Sequence, residues 1–421
     1  MLNLIGVIIA FAIIVILIRL KFNFGLSLML GSLIMGIFSL QTIELIEIPK
    51  AFVEASIYSF KEGQIVTETI ELALLLTLIF VLAKCMQETG AITKLIDSLR
   101  TFFSRGGILG AIPAVYGLMP VPGGALFSAP LIEKEGEKYR LDKNQKNFLN
   151  VWFRHIWFPI YPISSAMILI CSEKFSNINI YTLIVANVPA FVASIVIGGI
   201  FLKYFIRKTT KVTSPPEKNY NGLIYLLPPT IPLVFYAALY FVGFPRVRSF
   251  LIGVLFSILL LYYLIKMDRK NYVNIIKKSL SWNLALAIFG IMIFREMFLV
   301  SEANILIANI MSGFSFPALI MIILIPLILG LLTGYNLGAV ALSYPLVQPF
   351  FEFTGISLIG ITSIIFISSL AGYLISPIHL CNVLSSNYLK TDTTRMYKMY
   401  IPAVFFLLLI QTVIVVIVFT S

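Results

Sequence analysis

The amino-acid sequence predicts an all-α polytopic membrane protein, with about ten transmembrane helices in two inverted five-helix repeats, each containing a re-entrant hairpin and a broken helix. Three observations lead there: an apolar composition, the regular length of the apolar runs, and a collinear match of the chain to itself. Of 421 residues, 59% are hydrophobic and 12% charged, and the mean hydropathy is +0.98. Soluble domains of this length do not have that balance.

Apolar runs long enough to cross roughly 30 Å of hydrocarbon lie at 3–19, 24–40, 66–86, 147–172, 178–203, 221–243, 249–266, 280–300, 358–388 and 399–419. The first positive charges, Arg19 and Lys21, follow the first run instead of preceding it. A secretory leader has the reverse order, so the first helix is expected to be retained. Two further apolar segments are interrupted at their centres. Residues 107–132 contain Pro120-Val121-Pro122-Gly123-Gly124, and residues 317–348 contain Thr333-Gly334-Tyr335-Asn336-Leu337-Gly338. Arms that short cannot span separately, so each segment reads as a hairpin entering and leaving on one side.

Shifting the chain along itself reveals the repeat. Leu72-Ala73-Leu74 meets Leu284-Ala285-Leu286; Ile112-Pro113 and Gly117-Leu118 meet Ile325-Pro326 and Gly330-Leu331; Gly124-Ala125 meets Gly338-Ala339; Pro130-Leu131 and Pro162-Ile163 meet Pro345-Leu346 and Pro377-Ile378. The offset drifts slowly and keeps Pro and Gly in register, which chance matches between Leu and Ile do not do. The chain therefore divides into a first repeat at 1–207, a cytoplasmic linker at 208–220 and a second repeat at 221–421. Five crossings per half invert the second repeat relative to the first.

Charge sets the orientation. On this topology 23 of the 31 Lys and Arg lie on one side, five on the other (Lys50, Lys61, Lys174, Arg246, Arg248) and three within spans (Lys84, Arg154, Arg295). The positive-inside rule puts both termini outside and the loops 133–146, 204–220 and 267–279 in the cytoplasm of a multi-pass protein of the cell membrane. The net charge of +12 is thus a topology signal. It forms no aromatic-interleaved patch, and no nucleic-acid partner is expected.

Inverted repeats with hairpins and broken helices are the pattern of secondary transporters, whose substrates bind near the midplane. The expected substrate-binding residues are Pro122, Gly123, Gly124 and Ser128 at the first hairpin, Thr333, Tyr335, Asn336 and Gly338 at the second, Ser164 and Ser165 after Pro162, and His379 and Asn382 after Pro377. Glycines let backbone approach a ligand closely or turn with positive φ. His379, Asn382 and Ser386 are spaced to share one helical face. A histidine titrating near pH ~6.5 beside a cavity suits a proton carrier, and His379 is the expected coupling residue, against the alternative of a structural bond to a carbonyl freed by Pro377. His155 is expected nearer the cytoplasm. Arg154 either attracts an anionic substrate or snorkels to headgroups. All four Asp lie in loops, and Glu296 is the one acid well within a span, so sodium held by midplane carboxylates is not expected. Cys85, Cys171 and Cys381 have no paired spacing, and neither a disulfide framework nor a metal site is expected.

The segments Leu118-Met119-Pro120-Val121-Pro122-Gly123-Gly124-Ala125 and Ser376-Pro377-Ile378-His379-Leu380-Cys381 resemble the two signatures of a prokaryotic membrane family catalogued as domain of unknown function 401. That family is more distantly similar to the ion-transporter superfamily of gluconate, citrate, dicarboxylate and arsenite carriers. The resemblance covers essentially the whole chain. It implies a scaffold plus a transport core with elevator-like motion, a homodimer, and small organic anions coupled to H+ or Na+, with no other cofactor. Where dicarboxylate carriers have Ser-Asn-Thr tips, this chain has Pro-Val-Pro-Gly-Gly and Tyr-Asn-Leu-Gly.

Enzymatic chemistry is not expected. The chain has no His-Glu-x-x-His, no paired intramembrane aspartates and no Gly-x-Ser-x-Gly turn. It also lacks a nucleotide-binding Gly-x-x-x-x-Gly-Lys loop for primary pumping. An ion channel or an intramembrane enzyme on the same scaffold is the alternative to a carrier. The inverted topology is checked by single cysteines placed at Lys138 and Glu352: a membrane-impermeant thiol reagent should label them from opposite sides, and labelling from one side would exclude the hairpins.

Overall fold

In the computed structural model, residues 2–60, 62–99, 101–102, 106–118, 123–206, 219–312 and 317–420 are described. The chain is a polytopic helical protein, and among the described residues the one sheet is a two-stranded hairpin, Tyr58–Ser59 against Gln64–Ile65. The first half runs α1 (Leu2–Arg19), α2 (Phe24–Phe38), α3 (Glu47–Ser56), α4 (Thr67–Glu88), α5 (Ala91–Leu99), α6 (Ile108–Gly117), α7 (Ala125–Lys138), α8 (Lys143–His155), α9 (Ser165–Ile170) and α10 (Ile180–Ile206). The second runs α11 (Leu227–Phe241), α12 (Arg246–Ile265), α13 (Arg269–Ser279), α14 (Trp282–Val300), α15 (Ala303–Ser312), α16 (Ala318–Thr333), α17 (Asn336–Val347), α18 (Leu358–Ile375), α19 (Leu380–Leu389) and α20 (Thr393–Phe419). Long and short helices follow one order in both halves.

Among the described residues, eight helical stretches are long and apolar enough to cross a membrane, against the ten runs read from sequence. The two that fall short do so for different reasons. The run at 24–40 becomes the 15-residue α2, started by Asn23, whose side chain accepts from the Leu26 amide, and stopped at Ser39. The run at 147–172 is broken by Pro159 and Pro162 into α8 and α9. Segments expected as loops are largely helical: α7 continues to Lys138, α8 starts at Lys143 behind an Asp142–Gln145 capping box, and α13 occupies most of 267–279. Between spans, the amphipathic α3 buries Ile48, Ala51 and Ala55 while its Lys50–Glu47 pair faces out.

Exchanging first-half helices for their second-half counterparts reproduces the main packing contacts. Helix α4 packs on α12 and α14 on α2; α6 packs on α7 and α8, α16 on α17 and α18; α7 meets α19, and α17 meets α9; α10 and α20 meet each other. Individual contacts follow the same exchange. Tyr161 OH donates to the Leu118 carbonyl (2.5 Å) and Ser376 Oγ to the Leu331 carbonyl (2.7 Å), the two residues of each pair standing at the offsets by which the sequence matches itself. Phe158 and Tyr373, another matched pair, stack with ring centroids 6.3 Å apart and planes within 7°.

Burial separates core from periphery. In the Leu358–Leu389 stretch 78% of the apolar window is buried inside the protein, against 28% for Leu2–Arg19 and for Thr394–Phe419. The outer helices therefore present apolar surface to lipid, while α18 is packed all round. The halves interlock where α2 crosses α14. A Cβ at Gly25 would overlap the Leu286 carbonyl, and one at Gly290 would overlap the Gly25 carbonyl, so the backbones touch directly. Replacing either glycine by Val should force the helices apart at about 1–3 kcal/mol. This would be read as a lowered Tm in detergent, and an unchanged Tm would show that the crossing relaxes freely.

Candidate functional site

Breaking a helix inside a membrane frees backbone carbonyls and amides that must find partners within the protein. At the carboxyl end of α6, three carbonyls are taken by side chains from the α8 break: Ala114 by Trp157 Nε1 (3.1 Å), Tyr116 by Arg154 Nη1 (2.5 Å) and Leu118 by Tyr161 OH (2.5 Å). Within the break, Asn187 Nδ2 of α10 donates to the Pro159 carbonyl (2.9 Å). In the second half, Ser376 holds the Leu331 carbonyl, and Gly334 ends α16 in the left-handed region at φ +58°.

Arg154 is 3% exposed. It does not snorkel; its guanidinium is seated against the negative end of the α6 dipole. Two glycines make room for it. A side chain at Gly117 would strike the Arg154 carbonyl, and one at Gly124 would strike the guanidinium itself. Gly124 thus packs on Arg154, a role the sequence did not disclose. Gly123, at φ +70°, supplies the left-handed turn expected of the first hairpin.

These ends enclose a cavity of about 300 Å³, lined on one side by Phe80 of α4 and Leu284 of α14 and on the other by the hairpins and broken helices. Of the expected residues, Gly123, Arg154, Ser164, Ser165, Tyr335 and Asn336 line it. Pro122 lies outside the described residues. Thr333 closes its own helix, donating to the Leu329 carbonyl (2.7 Å). A Cβ on Gly338 would press on the Phe24 ring at 2.9 Å. Ser128 is buried with Asn150 (2.6 Å), which also reaches Ser385 of α19 (2.8 Å). Asn382 and Ser386 both accept from Asn147 Nδ2, at 3.2 and 3.1 Å.

His379 does not share that face. It is the N-cap of α19, with a non-helical ψ of 110°, so its side chain leaves in a different direction from those of the helix that follows. Nor is His155 at a separate depth: the two imidazoles lie 4.8 Å apart, and Tyr373 is 3.9 Å from His379. His155 Nδ1 approaches the Val151 carbonyl at 2.6 Å, which places its proton on Nδ1 and leaves Nε2 to accept from Tyr373 OH at 3.3 Å. Cys381 completes the group, and the ligand atoms of His155, His379 and Cys381 all lie within 4.8 Å of one another.

Helix ends of both polarities border the cavity: Gly117, Arg154 with His155, and Gly334 come from the carboxyl ends of α6, α8 and α16. The amino-terminal ends of α7 (14 residues), α17 (12) and α19 (10) present Gly123, Tyr335 and Asn336, and Leu380 and Cys381 to it, and Ser164 caps the short α9 beside them. Neither Tyr335 nor His379 caps its helix with its side chain, and Asn336 Oδ1 is buried with no hydrogen-bond partner among the described residues.

Residues 4–419 match the family model described as a protein of unknown function, DUF401. The chain belongs to the DUF401 family. No curated protein matches it. Among solved structures, this DUF401 protein is similar to the YdaH transporter of Alcanivorax borkumensis, described as having an unusual topology, with a TM-score of 0.58 and 11% identity over 83% of this chain and 85% of that one. At that identity the likeness concerns the fold alone.

Sequence reasoning missed Tyr161, Asn187, Tyr373 and Cys381. Tyr161 was within reach, because it occupies the repeat position of Ser376. If the two matched bonds hold the breaks in shape, Tyr161→Phe and Ser376→Ala should each cost about 1–3 kcal/mol by leaving a buried carbonyl bare. Thermal unfolding in detergent measures this, and a Tm unchanged in both variants would mean the carbonyls find other donors.

Proposed function

We propose that this DUF401 protein is a secondary active transporter that moves a small organic anion by elevator-like alternating access, coupled to H+ or Na+. The observation that carries the reading is the convergence of three half-helix amino-terminal ends and the Arg154 guanidinium on one cavity. Helix amino-terminal ends and a guanidinium all favour negative charge, and their amides are donors left over from broken helices. A volume of about 300 Å³ is at the small end for ligand sites. The similarity in fold to a transporter supports the same reading.

The cavity's position supports an elevator. It lies between long helices α4 and α14, which interlock with α12 and α2, and the group α6–α9 with α16–α19, which carries every hairpin and break. In this reading the first group is a scaffold held in a homodimer, the second moves with the anion, and the two halves are inverted repeats in the cell membrane. Ser164, Tyr335 and Asn336 contact the substrate, and Arg154 attracts it.

Reconstituted vesicles test this with a panel of small carboxylates and sugar acids. At least one should show saturable uptake accelerated by unlabelled substrate on the far side, and an imposed H+ or Na+ gradient should drive its accumulation. Arg154→Gln should reduce uptake at least tenfold, the loss of about 1.4 kcal/mol or more of binding. Flux that rises linearly with concentration and shows no counter-exchange would replace the carrier by a channel.

A further inference from the structure

The group formed by His155, His379 and Cys381 has a composition that anion recognition does not require. Two imidazoles and a thiol are borderline-to-soft ligands, and all three residues are buried. His379 is 0% exposed, and among the described residues neither ring nitrogen makes a well-formed hydrogen bond, although the Cys381 thiol stands close to it. A fully buried imidazole with both nitrogens unmatched is costly unless something else fills its coordination. His155 is already oriented as metal-bound histidines are, with Nδ1–H held by the Val151 carbonyl and Nε2 turned toward the group.

We propose that His155 Nε2, one His379 ring nitrogen and Cys381 Sγ form a binding site for a zinc-type divalent transition metal at the wall of the cavity. Ligand atoms now within 4.8 Å of one another need to close by about 1 Å to reach the spacing set by Zn–N near ~2.0 Å and Zn–S near ~2.3 Å in a tetrahedral site. The chain permits that closure: His379 sits at a helix cap, outside the regular helix, and among the described residues no well-formed hydrogen bond fixes its ring. Three protein ligands leave a fourth position. His155 and Cys381 both line the cavity, so that position opens toward the bound anion. Tyr373 OH, 3.3 Å from His155 Nε2, gives way to the metal. The Cys381 proton is released on binding, and the thiolate supplies a negative charge to a region whose other fixed charge is Arg154. Hard cations such as Mg2+ have no oxygen ligand set here. The site stands independently of the carrier reading, since binding needs no transport.

The test uses full-length protein in detergent, stripped with a chelator and then titrated with Zn2+ by calorimetry and with Co2+ by absorbance. One Zn2+ should bind per chain, Co2+ should show a thiolate charge-transfer band with tetrahedral visible absorption, and Mg2+ should not compete. The nearly isosteric Cys381→Ser should remove the charge-transfer band, and His379→Ala should weaken Zn2+ by about tenfold or more, as loss of even a supporting partner commonly does. Cys85→Ser and Cys171→Ser, which alter buried thiols outside the group, should change neither signal. Each variant is first checked for an unaltered size-exclusion profile. Absence of stoichiometric Zn2+ binding, a Co2+ spectrum without the thiolate band, or a band that survives Cys381→Ser overturns the proposal.

Discussion

The demand that every backbone polar group inside a membrane be hydrogen-bonded within the protein organises this molecule. A continuous helix meets it automatically; a broken one does not. The chain interrupts helices at the ends of α6, α8, α16 and α18, and several of its polar side chains serve those interruptions. Trp157, Arg154 and Tyr161 cover the end of α6, Ser376 covers that of α16, and Asn187 reaches across from α10 to the Pro159 carbonyl. The starts of α7, α17 and α19, which no side chain caps, are gathered around a single cavity. Side chains take the carbonyls of the breaks, and the helix amino-terminal ends beside them lend the cavity positive character.

The two halves solve the same problem with different chemistry. Tyr161 and Ser376 are a phenol and a hydroxymethyl group at matched positions, both donating to matched carbonyls. Ser164 and His379 are matched N-caps, but only the serine makes a capping bond. Where the first half places Arg154, the second places Ser369, whose carbonyl lies against Gly330 as that of Arg154 lies against Gly117. The backbone arrangement is shared, and the side chains within it differ. The charge at the cavity accordingly comes from Arg154 of the first half, while each half contributes one imidazole.

Close backbone approach makes that arrangement rigid. Gly25 and Gly290 interlock the long helices; Gly117 and Gly124 seat Arg154. Without a strong hydrophobic drive between helices in lipid, small residues that bring backbones together are a main source of association. The same glycines that look from sequence like ligand-binding positions therefore divide by what stands opposite them: Gly123 turns the chain beside the cavity, Gly124 accommodates a guanidinium, and Gly338 faces the Phe24 ring.

Membrane class, helical architecture, the proline breaks that follow α8 and α18, and the family were legible in the sequence, because run length, Pro and Gly placement and internal matching are properties of consecutive residues. Six of the expected ligand residues line the cavity for the same reason: they flank the interruptions, and interruptions are visible locally. Tertiary structure decided the rest. Whether Arg154 snorkels or is buried depended on α6 ending beside it. The meeting of His155 with His379 and Cys381 depended on two helices far apart in the chain being broken at the same depth, and no spacing within either segment records that. Ser128, Thr333, Asn382 and Gly338 have the composition of a binding site, yet they serve packing or buried hydrogen bonds, because a side chain's role depends on the atoms facing it and those come from other helices.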